Sequence, residues 1–149
     1  MPRAVKWHQQ LHDDSSSATA SECTWDAVSR LIRGLNGRDR TDVFLGELGA
    51  DRLLSVAGGN SDRYVVVVQE PGRYFYLARK PAPTEQEKLV EVVVGGLSAY
   101  FPYVLVHPLN IALSAAEHYF RTGRRARILS WMRGDAAQRL RRRAEQDAL

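Results

Sequence analysis

The sequence of 149 residues predicts a single α+β domain, in which a roughly six-stranded, mainly antiparallel sheet carries two amphipathic helices on one face. Two observations support this fold class. Short runs of β-branched and aromatic residues follow one another through the middle of the chain, and short turns separate them. Such connections favour antiparallel neighbours, because parallel strands need long crossovers. Segments with apolar residues at helical spacing flank these runs on both sides.

The two helices are marked by their ends as well as by their periodicity. Thr24 is a suitable N-cap for the first helix, which is predicted to have about eleven residues and to be stopped by Gly34 and Gly37 around Asn36. Pro108 lies near the first turn of the second helix, where a missing N–H group costs nothing, and Gly123 ends that helix. Both segments therefore carry their own start and stop signals.

Six predicted strands share one pattern, an apolar run that ends at glycine, proline or polar turn residues. They lie at residues 43–45, 53–56, 64–68, 74–77, 89–94 and 103–106. A further edge strand is possible at residues 128–131. The alternation of Val5 and Trp7 allows another short strand near the N-terminus.

The predicted domain spans residues 24–131. Residues 1–23 include a stretch rich in serine, alanine and threonine and are expected to form a flexible arm. Residues 132–149 are expected to form a basic helical tail, with four arginines in the run Arg139–Arg143.

The basic character of the protein belongs to its C-terminal part. Residues 121–149 have nine arginines against three acids, whereas residues 1–120 carry a net charge of −2. The run Arg139–Arg143 is able to bind phosphate backbones, which makes a nucleic-acid-binding accessory protein the rival hypothesis. No aromatic residues alternate with these arginines to stack on bases, so a solvated tail or a grip on an acidic protein explains them equally well.

Composition excludes several other classes of protein. Hydrophobic residues make up 44% and charged residues 26%, as in ordinary folded domains. No apolar run approaches the roughly 20 residues of a membrane span, and no export signal is visible, so a cytoplasmic protein without membrane contact is expected. A single cysteine, Cys23, excludes an internal disulfide and a cysteine-based zinc site.

Two pairs of residues suggest chemistry, but each has an ordinary alternative. His8 and His12 would share one face of a helix and begin a metal site, yet their segment is a poor helix with no further ligand nearby. Glu117 and His118 could act as acid and base, yet on a helix they are more simply a surface pair. We therefore expect no metal, no cofactor and no catalytic residue.

A series of motifs in order covers about residues 24–131. The motifs are Trp25, Leu35-Asn36-Gly37, Leu54 to Gly59, Tyr64 to Val67, Tyr74 to Leu77, Val92 to Gly96, Tyr100-Phe101-Pro102, Val106-His107-Pro108, Ala112 to Phe120, Thr122-Gly123 and Leu129-Ser130-Trp131. Their order and spacing resemble the first-described immunity-protein family of bacterial polymorphic toxin systems.

This resemblance implies an α+β antidote without enzymatic activity. It implies binding to the C-terminal toxic domain of a secreted toxin within the producing cell. In this family that domain is often a nucleic-acid deaminase, typically a zinc-dependent cytidine deaminase-like domain. The oligomeric state stays open.

Physical reasoning then suggests contact residues. An inhibitor of an enzyme that acts on nucleic acid gains steering by presenting acids to the basic groove that normally holds phosphates. Strand alternation puts two tyrosines opposite Phe75, so either the tyrosines or the phenylalanine face outward as aromatic anchors. The toxin-binding candidates are the turn and loop acids and these two tyrosines: Asp51, Asp62, Glu70, Tyr74, Tyr76, Glu85 and Glu87.

Overall fold

The computed structural model describes residues 6–11, 15–17, 24–46, 51–80 and 88–147. Its helices and strands are, in chain order, β1 (Lys6–Leu11), β2 (Ser15–Ser17), α1 (Trp25–Arg33), β3 (Arg40–Gly46), β4 (Leu53–Gly58), β5 (Tyr64–Glu70), β6 (Arg73–Ala78), β7 (Leu89–Val94), β8 (Leu97–Pro102), α2 (Leu109–Thr122), β9 (Ser130–Arg133) and α3 (Gly134–Asp147). Short 3-10 turns lie at Asn60–Asp62 and Tyr103–Leu105.

The predicted α+β class is confirmed, with a different division of the strands. Among the described residues, the main sheet has seven strands in the order β2-β1-β3-β4-β5-β6-β9, and every pair is antiparallel. The predicted edge strand near residue 131 is β9, which pairs with β6. Strands β7 and β8 form a separate hairpin instead of extending the main sheet.

Helices α1 and α2 pack on one face of the main sheet, as predicted. The Thr24 hydroxyl accepts a hydrogen bond from the Ala27 N–H at 3.2 Å and so caps α1. The rings of Trp25 on α1 and Phe120 on α2 lie 5.9 Å apart. The sheet residues that alternate toward these helices are buried, and they include Val43, Leu45, Leu54, Val56, Val66, Val68 and Leu77.

The β7–β8 hairpin covers part of the opposite face. Val92 and Phe101 pack there against Val65 of β5. The hairpin turns at Gly95 and Gly96, whose φ angles of +59° and +79° suit the two-residue turn that matches strand twist. The structure thus has a layer on each face of its sheet, whereas the sequence pattern predicted helices on one face only.

Two polar side chains of the main sheet region fix the hairpin. Asp42, which is buried on β3, accepts a hydrogen bond from the Gly95 N–H at 2.8 Å. The Asn60 amide donates to the Glu91 carbonyl at 3.1 Å and accepts from the Val93 N–H at 3.2 Å. The Asp42 side chain therefore holds the backbone of the hairpin tip, and the Asn60 side chain holds the backbone in the middle of β7.

The predicted strand at residues 103–106 is wrong. This segment is a 3-10 turn followed by a short extended stretch that crosses from the hairpin on one face to α2 on the other. It fills the gap where β5 and β6 stop pairing, since Tyr64 exchanges backbone hydrogen bonds with His107 and the Arg79 N–H donates to the Val104 carbonyl. Its apolar residues are buried because of this crossing, which the sequence pattern cannot distinguish from a strand.

His107 secures this crossing segment from its buried position, where 3% of the residue is exposed. Its Nε2 lies 2.8 Å from the Leu77 carbonyl oxygen, which can only accept, so the ring donates its N–H there. Burial lowers the pKa of His107 to about 4. The ring is therefore neutral at physiological pH.

Helix α3 packs beside the hairpin on the same face. Its Ala137 is buried together with Val104 and Leu105 of the crossing segment. The Arg141 guanidinium donates from Nε to the Tyr100 carbonyl at 2.9 Å and lies 4.4 Å from the Phe101 ring centre. The predicted helical tail is thus a helix that is docked on the sheet and the hairpin.

Replacing Asn60 with alanine should remove both hydrogen bonds to β7. We expect Asn60→Ala to lower the free energy of unfolding by about 2 kcal/mol, because two backbone groups lose their partner. Urea denaturation measures the change, and hydrogen exchange at the Val93 N–H locates it. Ser98→Ala, an exposed change on β8, is the control, and equal stability of the two variants would contradict the anchoring role of Asn60.

His107 should make folding stability depend on pH. The unfolded chain binds the imidazole proton with a pKa near 6.5 and the folded chain with a pKa of about 4, so the contribution is complete above pH 6.5 and is lost as pH falls toward 4. Over this range wild type should lose up to about 3 kcal/mol more than His107→Gln, which keeps an N–H donor but does not titrate.

Urea denaturation at several pH values between 4 and 7 tests this expectation. His118→Gln, which removes an exposed imidazole from α2, is the matched control. Parallel stability curves for wild type and His107→Gln would show that His107 is not the titrating group.

Candidate functional site

An open groove lies on the sheet face that carries the hairpin and α3. It has a volume of about 660 Å³ and is bounded on one side by the start of α3. A recess of about 350 Å³ continues from it to the hairpin tip at Gly95. Both are floored by Phe44, Ser55 and Val67, one residue each from β3, β4 and β5, so they form one concave surface. We call this surface the sheet groove.

Strand alternation decides which side chains line the sheet groove. Phe44 lies between Val43 and Leu45, which are fully buried against the helices, and it therefore points to the other face. Ser55 and Gln69 add polar groups to the floor by the same alternation. The floor of the groove is therefore a mixture of apolar and polar side chains.

The two candidate tyrosines lie on the groove side of β6, and Phe75 between them is buried on the other. Tyr74 is 37% exposed and lines the groove, and its ring centre is 5.9 Å from that of Tyr76. Gly134 packs directly on the Tyr74 ring, because a Cβ at this position would lie 2.3 Å from ring atoms. Burial raises the pKa of Tyr76. Tyr74 is thus the accessible aromatic residue, and Tyr76 supports it.

Glu70 lies at the edge of the sheet groove in a small charged cluster. Its carboxylate accepts from Arg125 Nε at 2.7 Å and forms an ion pair with Arg73 at 3.2 Å. The Arg125 guanidinium lies 3.6 Å from the ring centre of Phe75, which fixes it by a cation–π contact. Glu70 is therefore half-buried and shared between two arginines.

The other acidic candidates are dispersed. Asp51 is exposed just before β4. Asp62 is exposed too, but its Oδ1 accepts a hydrogen bond from the Leu109 N–H at 2.9 Å and so caps the start of α2. It lies near the start of β5, about 20 Å from the end that carries Glu70. Two candidates lie outside the described residues: Glu85 and Glu87. The structure brings Glu70, Tyr74 and Tyr76 to one surface and places Asp62 elsewhere.

The two residue pairs that the sequence singled out for chemistry do not form a metal site among the described residues. The described ranges hold no group of three or more histidine, cysteine or acidic residues that could bind a metal ion. His8 lies on strand β1, and His12 lies outside the described residues. Glu117 forms an ion pair with Arg121 at 2.8 Å, and His118 beside it is exposed. None of the helices in the described ranges is long and apolar enough to cross a membrane.

Sequence reasoning missed a second charged surface, at residues 123–129 between α2 and β9. This segment, which we call the arginine loop, surrounds a polar cavity of about 570 Å³ together with Arg52. Its exposed residues are Arg124, Arg127 and Ile128. The sequence signal for this surface is the presence of three arginines within the four residues after Gly123.

Comparison with known proteins supports the immunity-protein family to which the motif pattern points. A family model described as immunity protein Imm1 matches residues 18–133, from just before α1 to the end of β9. No curated protein matches the sequence. The family match covers more than half of the chain. The chain belongs to the Imm1 immunity protein family.

Proposed function

We propose that this immunity protein binds the toxic domain of a cognate secreted toxin in the cytoplasm of the producing cell and covers the mouth of its active site. The observation that carries the proposal is the sheet groove, with Tyr74 exposed at its wall. A rigid, concave and partly apolar surface with an exposed tyrosine is suited to hold a protruding element of another protein. Inhibition of this kind requires no chemical step by the immunity protein.

We propose further that the toxic domain is a nucleic-acid deaminase of the cytidine deaminase type. The support for this choice is what the family resemblance implies. Enzymes of this kind hold phosphates in a basic groove, which an acidic side chain at a contact surface can occupy. Of the acidic candidates, Glu70 is the one at the edge of the sheet groove. Asp51 is exposed just before β4, whose first residue, Leu53, pairs with Gln69 of β5.

The domain division is also a proposal. Residues 24–131 would form the unit that recognises the toxin, with residues 1–23 and 132–149 as additions to it. The contact between Gly134 and Tyr74 indicates that the C-terminal helix shapes the groove wall even if it makes no contact with the toxin. Deleting the tail is therefore a poor test of its charges, because deletion also uncovers Tyr74.

Replacing Tyr74 should weaken toxin binding. We expect Tyr74→Ala to raise the dissociation constant by about 30-fold, which corresponds to a central aromatic contact of about 2 kcal/mol. The reading frame next to the gene for this protein is the place to look for the toxin. Survival of cells that express both proteins, and titration of the two purified proteins by calorimetry, measure the effect.

Tyr100→Ala is the matched control. Tyr100 is 51% exposed on the outer face of the hairpin, where its hydroxyl donates to Glu91 at 3.2 Å. It should bind and protect as wild type does. Full protection by Tyr74→Ala, together with loss of protection by Tyr100→Ala, would move the contact surface away from the groove.

The rival hypothesis makes a different prediction for the C-terminal helix. A nucleic-acid-binding accessory protein should lose salt-sensitive DNA affinity when the exposed arginines of α3 become glutamine, with substitutions at Arg139, Arg142 and Arg143. An antidote should keep protecting cells, because these exposed arginines do not line the sheet groove and the helix is retained. Loss of protection in this triple variant would favour the rival.

A further inference from the structure

The arginine loop is held in one conformation by its own contacts. Gly123, with a φ of +71°, ends α2 and lets the chain turn. The buried Ala126 accepts hydrogen bonds at its carbonyl from the Leu129 N–H at 3.2 Å and from the Trp131 ring N–H at 2.9 Å. Arg125 is fixed between Glu70 and the Phe75 ring. The loop therefore loses little conformational entropy on binding a partner.

This rigid loop exposes unbalanced positive charge. Arg124 and Arg127 are exposed, and neither forms an ion pair with any residue in the described ranges. Arg52, exposed just before β4, borders the same cavity. The acid among the cavity-lining residues is Glu70, which is already shared between two arginines. The surface thus favours a ligand that brings carboxylates.

An apolar side chain stands at the tip of this charged loop. Ile128 is 91% exposed, the largest exposed fraction among the large hydrophobic residues described as exposed. It lies directly after Arg127 and next to the half-buried Leu129. An isoleucine held out by a rigid loop gains free energy only when another surface encloses it.

We infer that the arginine loop, with Arg52, is a second docking surface, and that it takes an acidic face of the toxin domain with an apolar recess for Ile128. This inference rests on the proposed function and adds a specificity determinant to it. A basic catalytic groove cannot pair with arginines, so this contact lies on a different part of the toxin from the mouth that the sheet groove covers. Its charges accelerate the encounter and orient it.

The composition of the surface favours a protein over a nucleic acid. Phosphate groups would pair with the arginines but leave Ile128 without an apolar partner. Base stacking needs an exposed aromatic ring, and Trp131 at this site is half-buried with its ring N–H already bonded to Ala126. Arginine beside an apolar anchor is instead the usual composition of protein contact sites.

The experiment compares association kinetics for the purified toxin domain and full-length immunity proteins at low and physiological salt. The double variant Arg124→Glu with Arg127→Glu should associate at least about tenfold more slowly at low salt and show a smaller salt dependence than wild type. Ile128→Asp should chiefly increase the dissociation rate. Circular dichroism checks that each variant is folded.

Arg142→Glu with Arg143→Glu on α3 is the matched control, since it changes the net charge equally at exposed positions. It should lower the association rate much less. Equal slowing in both double variants would attribute the effect to net charge and overturn the inference, as would wild-type kinetics in the loop variants. No binding by wild type would overturn the proposed function itself and this inference with it.

Binding of a single-stranded DNA oligonucleotide, followed by fluorescence anisotropy, covers the nucleic-acid alternative. We expect no measurable difference between wild type and the arginine-loop variant. Loss of DNA affinity in that variant, combined with unchanged toxin binding, would assign the loop to nucleic acid and overturn the inference.

Discussion

The arrangement of the two layers depends on residues 103–107, which pass from one face of the main sheet to the other at the ends of β5 and β6. A backbone that leaves a sheet there must find partners for its polar groups in a buried setting. Residues 103–107 find them in the separated ends of the two strands, and the neutral ring of His107 supplies the remaining donor to Leu77. This crossing allows one chain to cover both faces of a single sheet.

The two faces are covered to different extents, and the difference provides the binding surface. Helices α1 and α2 bury one face through a continuous apolar core. The opposite face receives a hairpin, held by Asp42 and Asn60, and a helix held partly by Arg141. Both additions are fixed by specific polar contacts, so the space between them keeps its shape. The sheet groove is the part of this face that the described elements leave open.

Charged residues are grouped at the end of β5 that carries Glu70. Glu70 borders both the sheet groove and the cavity of the arginine loop, and its ion pair with Arg125 joins the two surfaces. This ion pair is partly buried, and it holds the Arg125 side chain against the Phe75 ring. A partner that engaged both surfaces would meet an aromatic and polar concavity on one side and a basic, apolar projection on the other.

The sequence by itself determined the elements whose signals are local: helices α1 and α2 from their caps and periodicity, strands β3 to β7 and β9 from short apolar runs, and the opposite orientations of Tyr74 and Phe75 from strand alternation. Only the tertiary structure decided that the β7–β8 hairpin and α3 cover the opposite face of the sheet. It also decided that residues 103–106 cross between the faces instead of pairing as a strand, and that Glu70 forms an ion pair with Arg125. Periodicity reports that one side of a segment is apolar, but it does not report which distant surface meets that side. Contacts between residues far apart in the chain settle that choice.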